Sequence, residues 1–164
     1  MIKLVRCDDR LIHGQCITVI TKVHSIQQII IIDNFVASNP MMKRIFKLAI
    51  PSNMTGDVYN GDEAVAPVKE ALTNNKNVLV LASSPIYYPN LFDKVEGLPK
   101  SVNIGPMSKR DQTTEIIYGT HLTKEELDSV ESLHEKGVEV YFNAVPERER
   151  ADWEDVRKKI HYTK

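Results

Sequence analysis

Gln27-Gln28-Ile29-Ile30-Ile31-Ile32-Asp33 is the stretch that decides the fold class. Four consecutive isoleucines on an extended chain point apolar branches to both faces, so both faces need cover. Such a strand belongs in a parallel sheet sandwiched between helices. Val78-Leu79-Val80-Leu81-Ala82 repeats the pattern, and shorter apolar runs stand at 2–5, 54–59, Ser101–Ile104 and 138–142.

Between these runs the apolar residues recur at helical spacing. Segment 15–24 is one such helix, although its Thr, Val and Ile content makes it a poor helix by propensity alone. A second is capped by Ser38 or Asn39, holds Pro40 in its first turn, presents Met41, Ile45, Leu48 and Ala49 as its inward stripe and ends at Pro51. A third covers 62–74, and a fourth opens at Ser83-Ser84-Pro85 and runs to about Lys94. A fifth follows the capping box Thr123-Lys124-Glu125-Glu126 and stops at Gly137. Residues 113–118 are compatible with a short edge strand, and 147–159 form a charged segment with Trp153 and Val156 as apolar anchors. Strands alternate with helices to about residue 142, with no repeat or linker. The expectation is a single α/β domain over 1–164, a three-layer arrangement with a mostly parallel sheet covered by helices and room for an antiparallel edge strand, with 147–164 as a charged C-terminal segment.

Composition narrows the chemistry. A formal charge of -1, from 21 basic and 22 acidic residues, provides no field to attract nucleic acid, so any phosphate chemistry must use local charge. The two cysteines, Cys7 and Cys16, have neither zinc nor CxxC spacing and read as small buried hydrophobes. The longest apolar run is far below the roughly 20 residues of a membrane span, and no signal peptide is evident, which suits a cytoplasmic protein. No nucleotide-binding glycine motif and no GxSxG elbow occurs. His24, His121, His134 and His161 are scattered without metal-ligand spacing.

The chemistry concentrates in Arg6-Cys7-Asp8-Asp9-Arg10-Leu11-Ile12-His13-Gly14-Gln15, past the first strand and before the first helix. In α/β folds ligands gather at the carboxyl ends of strands, where helix amino termini present free N–H groups to anions. His13 is there a candidate nucleophile or general base. The guanidinium forks of Arg6 and Arg10 match phosphate oxygens, Gly14 lets the backbone approach, and Asp8 or Asp9 could orient a ring nitrogen. Ser83 and Ser84, at the end of another buried strand, could donate to the same anion, although helix capping explains them equally well. The plainer alternative is a turn histidine beside a solvated salt-bridge network worth about 0–1 kcal/mol per pair.

RCDDRLIHGQ, followed by QIIIID, VLVLA, NIGPM and YFNAVP, closely resembles the IIB component of the mannose/fructose/sorbose class of bacterial sugar phosphotransferase systems, over essentially the whole chain. The resemblance implies that His13 is transiently phosphorylated by a phosphohistidine of a IIA component and passes the group to a sugar bound by membrane IIC and IID components. It implies that Arg10 and Arg6 steady the phosphoryl group and that Asp8 and Asp9 orient the loop. The candidate catalytic set is then His13, Arg10 and Asp9 and the candidate phosphate-binding set Arg6, Asp8, Gly14, Ser83 and Ser84, with no metal or cofactor and attachment to the membrane through partners only. The chain departs from the usual pattern at Cys16, Ile20, Pro106 and in its charged tail. An orphan regulator that signals to a protein partner, and a hydrolase or isomerase using His13 as base, are the competing classes. The sugar and the oligomeric state, including a homo-oligomer, stay open.

Overall fold

The computed structural model describes residues 1–164, except for the side chains of Gln15 and Cys16. The expectation for Cys16 therefore lies outside the described residues, whereas Cys7 is fully buried. The strands are β1 (Ile2–Cys7), β2 (Gln28–Ile32), β3 (Thr55–Tyr59), β4 (Val78–Ala82), β5 (Ser101–Ile104), β6 (Thr114–Ile117), β7 (Thr120–Leu122), β8 (Glu139–Phe142) and β9 (Ala151–Asp152). The helices are α1 (Gly14–Val23), α2 (Asn34–Ser38), α3 (Pro40–Ala49), α4 (Val65–Ala71), α5 (Tyr88–Lys94), α6 (Lys124–Glu135) and α7 (Trp153–Lys159).

Seven strands form one sheet in the order β3-β2-β4-β1-β5-β8-β9, parallel except for the terminal β8–β9 pair. The isoleucine run divides as its pleat requires. Ile29 and Ile31 join Leu79 and Leu81 against Ile17 and Ile20 of α1 and Val36 of α2. Ile30 and Ile32 join Val78 and Val80 in the opposite core, with Val68 of α4, Leu91 of α5 and Val130 of α6. The chain leaves β1 through α1 on one face, and leaves β4 through α5 on the other. The carboxyl ends of these neighbouring strands thus mark the point where the winding reverses, which is where α/β sheets open a crevice.

Several expectations needed the third dimension. Residues 113–118 do not edge the main sheet; 114–117 pair with β7 in a separate two-stranded ribbon, and the antiparallel edge strand is β9. Segment 34–38, left unassigned by periodicity, is α2, capped by Asp33. The stripe assigned to α3 is reversed: Met41, Ile45 and Leu48 face solvent, while Met42, Phe46 and Ile50 pack on the core. Apolar residues lie nearly all round this helix, so spacing offered two stripes. Asn39, which closes α2 and caps α3, sets the rotation from outside the helix. The helix layer is also incomplete, because β5 and β8 contribute nothing to the α1-side core. On that face Asn103, Tyr141 and Arg150 border an open hollow of about 240 Å³.

The charged tail is seated on the body. Trp153 is buried, stacks at an angle on Phe142 and Tyr162, and donates its indole N–H to Glu131 at 2.7 Å. Arg157 pairs with the same carboxylate at 3.0 Å, so this buried acid has both a donor and a countercharge. Trp153→Ala should therefore lower the unfolding free energy by about 3–5 kcal/mol in urea titrations, with Trp153→Phe costing less. A loss below about 1 kcal/mol would show that the tail is not part of the cooperative unit.

Candidate active site

The loop after β1 is held on both sides by prolonging the sheet. Asp8 N–H donates to Ala82 O at 3.0 Å, and Gly105 N–H donates to Cys7 O at 2.8 Å. Leu11, in the left-handed region at φ 57°, closes a turn through its N–H to Asp8 O at 2.9 Å. Leu11 and Ile12 are buried among the α1-side core residues. These two apolar anchors drive the chain inward between Arg10 and His13, and the charged side chains are left at the rim. His13 is the extended N-cap residue of α1, and Gly14 follows at φ 38°.

Asp8 is the centre of the arrangement. Its side chain is only 3% exposed, and its Oδ2 lies 2.9 Å from His13 Nε2. Its Oδ1 accepts the Arg10 backbone N–H at 3.1 Å. The Arg6 and Arg10 guanidinium groups stand 3.9 and 4.0 Å away, close enough for Coulomb attraction though too far for hydrogen bonds. A carboxylate can only accept, so the imidazole donates to it from Nε2. Nδ1 then carries the lone pair. This is the tautomer of a nitrogen nucleophile oriented by a carboxylate.

The two arginines have different surroundings. Arg6 is buried, and its guanidinium donates to Asn103 Oδ1, to Asn143 O at 3.3 Å and to Ala144 O at 2.7 Å. Gly105 makes room for it: a Cβ there would lie 2.6 Å from Arg6 Cζ and 3.0 Å from Cys7 O. Arg6 thus locks the ends of β1, β5 and β8 together beneath the loop. Arg10 is more than half exposed, so its fork can turn toward an arriving anion. Asp9 accepts the Ser108 N–H at 2.6 Å and ties the loop to the 105–108 segment. Ser83 donates to Asp33 at 2.5 Å, while Ser84 donates to Glu126 at 3.2 Å and caps a short 3-10 turn at Pro85.

The structure therefore brings Asp8, Arg10 and His13 into one cluster over Arg6, with Asp9 at its side, and finds the two serines hydroxyl-bonded to carboxylates. Sequence reasoning did not single out Arg110, Asn103 or Asn143. Arg110 forms a bidentate pair with Glu126 at 3.0 and 3.1 Å, which raises its pKa, with Asp9 adding to the effect. Its only sequence signal was a cation shortly after NIGPM. Burial pushes the Cys7 thiol well above its usual range, so that thiol stays protonated and unreactive.

The model of the family described as PTS system sorbose subfamily IIB component matches residues 2–164. The sorbose-specific EIIB component of Lacticaseibacillus casei is 31% identical over 147 residues, 88% of each chain. The mannose-specific EIIAB component of Escherichia coli K12 is 27% identical over 162 residues, which is 98% of this chain and 49% of that protein. The crystal structure of the IIBSor domain of the Klebsiella pneumoniae sorbose permease superposes with a TM-score of 0.88 at 26% identity, covering 97% of both chains.

The tautomer is directly measurable. Nitrogen-15 NMR at neutral pH should place the His13 proton on Nε2 in the wild type. Asp8→Asn, whose amide can donate as well as accept, should shift population to the Nδ1–H form. An unchanged tautomer would remove Asp8 from the orienting role.

Proposed function

Because the chain belongs to the sorbose subfamily of IIB components of the phosphotransferase system, we propose that it is a cytoplasmic phosphocarrier. His13 takes a phosphoryl group from a phosphohistidine of a IIA component and delivers it to a sugar entering through membrane IIC and IID components. The observation that carries this reading is the 2.9 Å contact between Asp8 and His13 Nε2, which leaves Nδ1 as the attacking atom, while Arg10 stands 4.0 Å from the same carboxylate. The similarity to a mannose-specific EIIAB protein supports a IIA partner.

The transfer needs few parts. The Nδ1 lone pair forms the new N–P bond as the N–P bond of the donor imidazole breaks. The Nε2 proton stays in its hydrogen bond to Asp8, and the positive charge of the phosphorylated ring lies against that carboxylate. Arg10 and the free N–H groups of the first turn of α1 offset charge on the equatorial oxygens, while Gly14 adds no side chain next to the imidazole. Arg6 acts from below, by fixing Asp8. In the second step a sugar hydroxyl oxygen forms the new O–P bond as the Nδ1–P bond breaks, the hydroxyl proton leaves to solvent, and His13 returns to its neutral Nε2–H form. The seated tail gives a regulatory reading no added support, since its apolar anchors are spent on the chain's own core.

Incubation with phosphoenolpyruvate, the general phosphotransferase proteins and a cognate IIA should put acid-labile phosphate on the wild type and none on His13→Ala. Arg10→Ala should keep its melting temperature and slow labelling on the order of 10²-fold. Label persisting in His13→Ala would overturn the site. Label that no sugar discharges in the presence of the transport membranes would favour a regulator.

A further inference from the structure

Of the eight large hydrophobic side chains exposed among the described residues, four fall between positions 35 and 48: Phe35, Met41, Ile45 and Leu48. The last three stand at i, i+4 and i+7 of α3, so they form one stripe pointing away from the core. Met41 and Leu48 are 73% and 76% exposed, which is unusual for side chains of this size gathered on one helix. Alongside the stripe lie Lys43, Arg44 and Lys47, and α2 and α3 contain no acidic residue. Lys43 and Lys47 approach Asp57 only to 3.9 and 3.6 Å, and Arg44 has no ionic partner among the described residues. With Pro40 and Leu48, these three cations line a shallow hollow of about 550 Å³.

The geometry points to α3 as an interfacial helix that docks on anionic phospholipid, with headgroup phosphates at Lys43, Arg44 and Lys47 and the Met41–Ile45–Leu48 stripe in the acyl boundary. A chain of net charge -1 has no general attraction to such a surface, so the cluster of Lys43, Arg44 and Lys47, which Asp57 offsets only in part, is what supplies it. Charge complementarity favours lipid over a protein epitope for a further reason. The outward residues Met41, Arg44, Ile45 and Leu48 include no neutral hydrogen-bonding side chain, so the face has little to read a specific partner with. A fluid anionic surface requires only charge and apolar area. The inference rests on the reading above for its purpose, because a carrier serving membrane components benefits from weak, reversible residence at the bilayer.

The test uses the full-length protein and protein-free vesicles of phosphatidylcholine, alone or mixed in equal parts with phosphatidylglycerol. Cosedimentation with the anionic vesicles only, relieved by salt, is the expected result. Arg44→Gln should weaken it about fivefold, and Leu48→Ser should weaken it further. Both variants should keep the wild-type melting temperature and the wild-type rate of His13 phosphorylation in solution. Vesicle binding and solution phosphorylation report separately, so this inference and the carrier reading can fail independently. Absence of wild-type binding to anionic vesicles would overturn the proposal. So would variants that bind as well as wild type, binding seen only when membrane proteins are embedded, or a wild-type dimer that Leu48→Ser dissociates.

Discussion

Burying one carboxylate at the end of β1 is the constraint on which the rest of the site depends. Asp8 is removed from water at the junction of three strands, and an ion in that position is tolerated only with countercharge and hydrogen bonds. Arg6 and Arg10 provide the charge, and the Arg10 amide and His13 Nε2 provide donors. Each satisfied bond also fixes a neighbour. The same interactions that make Asp8 affordable orient the imidazole, shape the turn and leave one ring nitrogen available for chemistry.

That constraint extends outward through Arg6. A buried guanidinium needs several acceptors, and here they come from Asn103, Asn143 and Ala144 at the carboxyl ends of β5 and β8. Such an arrangement closes the strand ends into one rigid platform, and it requires the bare backbone of Gly105 beside the guanidinium. Asp9 adds a second tie, to Ser108, and the Arg110–Glu126 pair a third, to the start of α6. Rigidity of this kind would suit the proposed transfer between two histidines, in which positioning supplies much of the rate.

The two sides of the sheet are finished differently, and this bears on how the molecule meets others. The α4–α7 side is a continuous apolar core that also takes up the C-terminal tail through Trp153. The α1 side is smaller, stops short of β5 and β8, and carries on its outermost helix an apolar stripe with no cover in this chain. A large exposed stripe beside cations that Asp57 offsets only in part is costly to keep in water without use. It is the part of the surface that intramolecular packing does not explain.

The isoleucine and valine runs by themselves determined that a mostly parallel sheet would form, because strands apolar on both faces have no other stable placement. Thr123 and Glu126 determined where α6 begins, since a capping box is a contact between near neighbours in sequence. The RCDDRLIHGQ loop was legible as the candidate site for the same local reason: charge and glycine concentrate there right after a buried strand. Only the tertiary structure decided the roles within it. Which arginine is buried depends on Asn103 and Asn143, 97 and 137 residues away from Arg6. Which serines are spoken for depends on Asp33 and Glu126, and which stripe of α3 faces inward depends on a cap shared with α2. Short-range pattern carries periodicity and capping, whereas the partners of a buried charge are chosen by the packing of strands distant in sequence.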